Sequence, residues 1–136
     1  MKKHAALVSF VLNLDLFAAE QVESFIDDLT IHPAGRATGT AGKIAVCEMD
    51  YTSTINIERY PHKAKPAHWL FGQLSAWLID NDDDRTEGYE FTVDVEILDD
   101  DTADVEIRIE FSEIVTASEN PAGALLLTGD RYRFDD

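Results

Sequence analysis

The chain has 136 residues and a hydrophobic fraction of 45%, which predicts one globular domain over residues 1–136. Eleven Lys and Arg against 27 Asp and Glu give a net charge of −16. Nucleic-acid binding draws most of its affinity from Lys and Arg that neutralise phosphates, so this charge predicts no direct nucleic-acid affinity. It also disfavours an anionic membrane surface. Cys47 is the one cysteine in the sequence, which excludes a disulfide framework within the chain.

The N-terminus begins like a signal peptide, because Lys2 and Lys3 precede a short apolar run. Asn13 and Asp15 soon interrupt that run, and no small-residue cleavage pattern stands at the right distance. Nothing approaches the roughly 18 apolar residues of a membrane span. We therefore expect a soluble protein made and kept in a bacterial cytoplasm.

Two helical segments, or one kinked helix, are predicted at the N-terminus. The first has apolar residues at helical spacing at Leu7, Phe10, Val11 and Leu14. Asp15 is a candidate cap for the second, whose core-facing stripe is Val22, Phe25, Ile26 and Leu29. Gly- and Pro-containing loops follow over residues 33–42, and a half-buried strand with apolar odd positions runs from Ala45 to Pro61.

A central helix is predicted after Pro66, a residue that suits the first turn of a helix. Its core-facing stripe is Leu70, Leu74, Trp77 and Leu78. Further apolar residues, among them Trp69 and Ile79, widen the apolar arc. A helix this apolar must pack against a sheet, a neighbouring subunit, or both.

Two alternating runs joined by an acidic turn at residues 99–101 predict an antiparallel hairpin with one buried and one solvated face. The buried face is expected to hold Phe91, Val93, Val105 and Ile107. The solvated face is expected to hold Asp94, Glu96, Glu106 and Glu110. Residues 123–128 are predicted to form a last strand and residues 131–136 a tail.

The predicted fold class is therefore α+β. It consists of N-terminal helices, an antiparallel sheet of about four strands with a long hairpin, and one central helix packed on that sheet.

The sequence predicts no catalytic, cofactor-binding or metal-binding residues. Its histidines are scattered and none lies in a zinc motif: His4, His32, His62 and His68. The acidic run 80–84 fails as a calcium loop, because Arg85 stands at the glycine position and Phe91 at that of the bidentate glutamate. We interpret the run as a solvated helix-to-strand loop and the protein as a non-enzyme.

The acidic side of the hairpin has two interpretations. Like charges across neighbouring strands are mildly destabilising, so some benefit must offset them. One interpretation is solubility and protection of the sheet from stray pairing. The other is that this surface borders a path taken by DNA and must not adhere to it.

Several packing features occur in order between residue 51 and about residue 116: Tyr51-Thr52, Ala76-Trp77-Leu78, Gly88-Tyr89-x-Phe91, the alternating hairpin and Ser112-Glu113. In these features the chain resembles the tail-completion protein R family of contractile-tailed temperate phages. The resemblance implies a small α+β structural protein, encoded by a phage or prophage, that completes the tail at its head-proximal end. It also implies a homo-oligomeric ring that contacts tail tube and neck proteins, assembles in the host cytoplasm and stays in the virion tail.

The charge supports an alternative function equally well. A small acidic protein can mimic DNA and occupy the basic groove of a host DNA-processing enzyme. Such an inhibitor is expected to be monomeric or dimeric, whereas a tail-completion protein is expected to form rings.

Overall fold

The computed structural model describes residues 1–85 and 88–136. The protein is mostly sheet. Its elements in chain order are α1 (Lys2–Leu12), a short 3₁₀ helix (Ala19–Gln21), β1 (Val22–Ala37), β2 (Lys43–Tyr60), α2 (Ala67–Asn81), β3 (Thr92–Ile97), β4 (Ala103–Glu119), β5 (Leu125–Leu127) and β6 (Asp130–Phe134). The strand order is β1-β2-β4-β6-β5, and β3 pairs with β4.

The predicted α+β fold with about four strands is wrong, because the described residues form six strands and one N-terminal α-helix. The second predicted helix, with Val22, Phe25, Ile26 and Leu29, lies in β1. Asp28 in this strand has a φ of 53°, and a residue in the left-handed region interrupts strict alternation. Phe25 and Leu29 are exposed, so the helical spacing of these apolar residues does not mark one buried face. Pro33 is compatible with β1 because this strand lies at an edge of the strand order.

The predicted C-terminal tail is also wrong. Residues 130–134 form β6, which pairs antiparallel with β4 and places Phe134 opposite Ala117. Thr128 and Gly129 join β5 to β6 with φ values of 48° and 88°. Positive φ at both central residues is the geometry of a two-residue hairpin turn that matches strand twist.

The chain forms two compact units. Unit 1 comprises Met1–Asp27 and Thr52–Phe111, and unit 2 comprises Asp28–Tyr51 and Ser112–Asp136. Both helices and β3 belong to unit 1. The single domain over residues 1–136 stays a prediction.

The core of unit 1 contains one side of α2 and the apolar side of the strands. Leu70, Leu74 and Leu78 on α2 are fully buried. Buried side chains of the strands and of α1 complete this core: Ile55, Ile57, Val105, Ile107, Ile109, Leu7 and Val11. Since alternate residues of a strand point to opposite faces, the even-numbered residues of β4 lie on the side away from this core.

Unit 2 has a smaller core. Its buried apolar side chains are Ala45, Tyr51, Ala117 and Tyr132. The Tyr51 hydroxyl donates a hydrogen bond to Glu113. The side chain of Leu127 on β5 lies 3.8 Å from the position of a Cβ on Gly35 of β1. Within unit 2, therefore, the first and last strands of the strand order come into contact.

Candidate interaction surfaces

The hairpin of β3 and β4 brings the predicted acidic residues together on one surface. The antiparallel register sets Asp94 opposite Glu106 and Glu96 opposite Asp104. Glu110 follows on the same side of β4, since it lies an even number of residues beyond Glu106. We call these five residues the acidic face. Like charges directly opposite each other across two strands are destabilising.

The remaining predicted core residues differ in burial. Val105 and Ile107 are fully buried, whereas Phe91 and Val93 are half-buried. Trp77 is also half-buried, and its ring centroid lies 5.8 Å from that of Phe10 on α1 and 6.4 Å from that of Phe111 on β4. Trp77 therefore joins α1 to α2 and β4 rather than pointing into the sheet with the leucines.

An open groove of about 370 Å³ runs beside the acidic face. Its lining includes Asp94, Glu96, Asp104 and Glu106 of the acidic face and two further carboxylates, Glu23 on β1 and Glu58 on β2. Four strands of unit 1 thus contribute acids to one surface. Glu23 lies in the segment predicted to be the second N-terminal helix, whereas the alternation of β2 points to Glu58.

Two arginines contact the acidic face, Arg108 through its guanidinium and Arg59 through its backbone. Arg108 Nη1 lies 3.4 Å from Asp27 Oδ2 and 3.9 Å from Glu106 Oε1. The backbone N–H of Arg59 donates to Asp104 Oδ1 at 3.0 Å. One guanidinium shared by two carboxylates leaves the surface strongly negative.

A buried ionic cluster holds the C-terminal end of α2. Asp82 is 1% exposed, and its carboxylate lies 2.6 Å from Lys3 Nζ and 2.7 Å from Arg85 Nη1. Burial alone raises the pKa of Asp82, but hydrogen bonds from Lys3 and Arg85 outweigh burial and hold this pKa below its usual value. Arg85 also donates to the backbone oxygen of Glu110 at 2.8 Å. The interpretation of the acidic run as a solvated loop is therefore wrong for Asp82, which ties α1 to the end of α2 and to β4.

The side of α2 that points away from the core is apolar as well. Trp69 and Ile79 are 48% and 56% exposed, and Gly72 and Ala76 lie between them and are exposed too. At about 100° per residue, these four residues lie opposite the buried leucines. We call them the outer stripe of α2.

Next to α1, unit 1 has an open groove of about 390 Å³. It is lined by one side of α1 and the start of β1: His4, Ala5, Val8, Ser9, Leu12, Asn13 and Ser24. Leu12 is 42% exposed. Unit 1 therefore exposes an apolar surface on each helix as well as the acidic face of its sheet.

The histidines lie apart in the structure. His4 Nδ1 is 2.8 Å from Ser53 Oγ, and His32 Nε2 is 2.9 Å from Asp50 Oδ2. His62 contacts the backbone oxygen of Asp99 at 3.2 Å. Over residues 1–85 and 88–136, no three His, Cys, Asp or Glu side chains are grouped so that they could hold a metal ion. None of the helices in the described part of the chain is long and apolar enough to cross a membrane.

Comparison with known proteins identifies a family whose sequence model matches this chain. The sequence model of the P2 phage tail completion protein R (GpR) family matches residues 1–135. An uncharacterized 19.2 kDa protein from the rep-hol intergenic region of Haemophilus phage HP1 is 31% identical over 115 residues, which cover 83% of this chain and 69% of that protein. No solved structure matches the chain. The family match spans almost all of the sequence and so confirms the resemblance first seen in about half of it. The chain therefore belongs to the P2 phage tail completion protein R family, and it is a structural protein of phage tail completion and virion assembly.

Proposed function

We propose that the protein completes the tail at its head-proximal end as a closed homo-oligomeric ring. The ring caps the tail tube and prepares the tail for joining to the head. The observation that carries this proposal is the separation of two kinds of surface within unit 1. Carboxylates lie on the side of the β3–β4 hairpin away from the core, and exposed apolar side chains lie on α2. Such a subunit can contact its neighbours through the apolar surface of α2 while the acidic surface of the hairpin stays exposed to solvent.

In this proposal the acidic face borders the passage through which DNA leaves the head. Fixed negative charge opposes adhesion of phosphates, and salt limits its reach to about 8 Å at physiological ionic strength. The face therefore acts at short range, on DNA that moves past the ring. This use explains why like charges are kept opposite each other on neighbouring strands.

The partners that this role requires are the tail tube on one side of the ring and a neck protein on the other. Both are proteins of the same phage, and the contacts form in the host cytoplasm during assembly. A family defined by tail completion supports contacts with other tail proteins.

The proposal is tested by inactivating the gene in the parent phage or prophage and supplying it from a plasmid. Without the protein, we expect full heads and separate tails in lysates, and no infectious particles. An affinity tag at the C-terminus should then locate the supplied protein by immunogold labelling at the head-proximal end of tails. Normal joined particles in its absence, or a label elsewhere on the virion, would contradict the proposal.

A further inference from the structure

We infer that neighbouring copies of this chain contact each other helix to helix, the outer stripe of α2 in one copy packing into the groove beside α1 in the next. This inference rests on the proposed ring and identifies the surfaces that build it. Both surfaces belong to unit 1 and are exposed.

The outer stripe has the composition of a contact surface. Trp69 and Ile79 are its two large exposed residues, and tryptophan is among the residue types enriched in interface anchors. Between them, a Cβ on Gly72 would meet nothing within 4 Å. The middle of the stripe is therefore flat and allows a second helix to approach closely, with a large apolar residue at each end.

The groove beside α1 has a matching arrangement. Ala5 and Ser9 are exposed in its middle, and exposed Met1 and Leu12 lie at the two ends of α1. The stripe on each helix is about 15 Å long at 1.5 Å per residue. In an antiparallel arrangement, one register pairs Leu12 with Trp69, Ser9 with Gly72 and Ala5 with Ala76, and it places Met1 within one position of Ile79. Small residues then meet in the middle and large apolar residues meet at both ends.

Charge complementarity selects a second copy of this chain as the occupant. By sequence, α1 begins with Lys2 and Lys3 and carries no acid, whereas α2 ends in the acidic run that begins at Asp80. Lys3 pairs with Asp82 and Asp84 of its own chain, and Lys2 precedes it at the same end of α1. The antiparallel register places Asp80 of one copy opposite Met1 of the next, one position from Lys2. It also aligns the two helix dipoles in opposite directions, which is favourable.

The contact joins two different surfaces, so it is heterologous and repeats from copy to copy. One pair of helix stripes buries less than the roughly 1,000 Å² typical of a stable interface. We therefore expect dilute protein to be monomeric, and the contact to form at high concentration or on the end of the tail tube.

Disulfide trapping tests this geometry directly. In a Cys47→Ala background, Ala5→Cys and Ala76→Cys are combined in one chain, because Cβ atoms must approach to about 3.8 Å for a disulfide to form. Oxidation at high concentration and on purified tails should give a ladder of multimers on a non-reducing gel. A mixture of the two single variants should give dimers only, and the control pair Ala76→Cys with Ala122→Cys should give no ladder. Absence of a ladder in both settings, or dimers from Ala76→Cys alone, would overturn the inference.

Gly72→Leu separates this contact from folding. The position has open space within its own chain, so the melting temperature should equal or exceed that of the parent protein, since glycine is unfavourable inside a helix. The yield of the ladder should fall about tenfold or more, as expected when an interface core is blocked, and complementation of the inactivated gene should be lost.

The two proposals can fail separately. Full complementation by Gly72→Leu would overturn the helix contact and leave the tail-end ring intact. Absence of the unaltered protein from the head-proximal end of tails would overturn the ring.

Discussion

Asp82 illustrates at the residue scale how a solvent-facing sequence can contain a buried structural group. The acidic run around it is typical of a loop, and Asp83 is exposed as expected. Asp82 is buried because two cations from different parts of unit 1, Lys3 and Arg85, converge on its carboxylate. Sequence alone does not reveal that convergence, since Lys3 is almost eighty positions away along the chain.

Asp82→Asn should destabilise the protein by about 3 kcal/mol, because it leaves two cations without their buried partner. The contacts lower the pKa of the folded state, so their contribution is fully present above the pKa of the unfolded state, near 4. It is lost as the pH falls through the lower folded-state pKa. Urea denaturation from pH 7 down to pH 3 should therefore show a flatter acid limb for Asp82→Asn than for the parent. Asp83→Asn is the matched control, and equal effects of the two changes would contradict this account.

The two tryptophans of α2 should respond differently to truncation. Trp77→Ala removes an aromatic ring that packs on Phe10 and Phe111, so we expect a loss of about 3 kcal/mol, the lower end for a tryptophan that is only half-buried. Trp69→Ala changes an exposed residue and should alter the free energy of unfolding by about 0.5 kcal/mol or less. Chemical denaturation of both variants measures whether each tryptophan stabilises the fold. An unchanged midpoint for Trp77→Ala would place this residue at an interface instead of in the fold.

At the scale of elements, the sequence was informative where a strand has one buried and one solvated face. Buried and more exposed residues alternate regularly along most of β4. The predicted antiparallel pairing of this strand with β3 is present in the structure. β1 is not recognisable in the sequence because it is a largely exposed edge strand, and its apolar residues do not alternate. β6 is not recognisable in the sequence because Tyr132 is its one buried side chain and Arg131 and Arg133 flank it, which is the pattern of a solvated tail.

The acidic face makes a prediction at the same scale. Asp94→Lys with Glu96→Lys should leave folding intact, because each lysine then stands opposite a carboxylate on β4, Glu106 or Asp104. The added positive charge should slow DNA ejection and raise affinity for duplex DNA at low salt. Asp94→Asn with Glu96→Gln is the control that removes charge without reversing it. Ejection at the parent rate and no DNA retention by the lysine variant would leave this surface with its solubility role alone.

At the scale of the whole molecule, charge is distributed unevenly. By sequence, unit 1 carries seven Lys and Arg against 19 Asp and Glu, a net charge of 7 − 19 = −12. Unit 2 carries four against eight, a net charge of 4 − 8 = −4. Three quarters of the negative charge thus belongs to the unit with the acidic face. The overall charge could be read from composition and the acidic face from the alternation of the hairpin. The approach of Glu23 and Glu58 to that face depends on how β1 and β2 join the sheet.

Cryo-electron microscopy of purified tails tests the central claim most directly. Tails completed by this protein should end, on the side that joins the head, in a closed ring of identical subunits with the acidic face toward its channel. Subunits in the ring should touch through α1 and α2. A tail end that carries a single copy of the protein, or a ring whose channel is lined by the helices instead of the acidic face, would contradict the account.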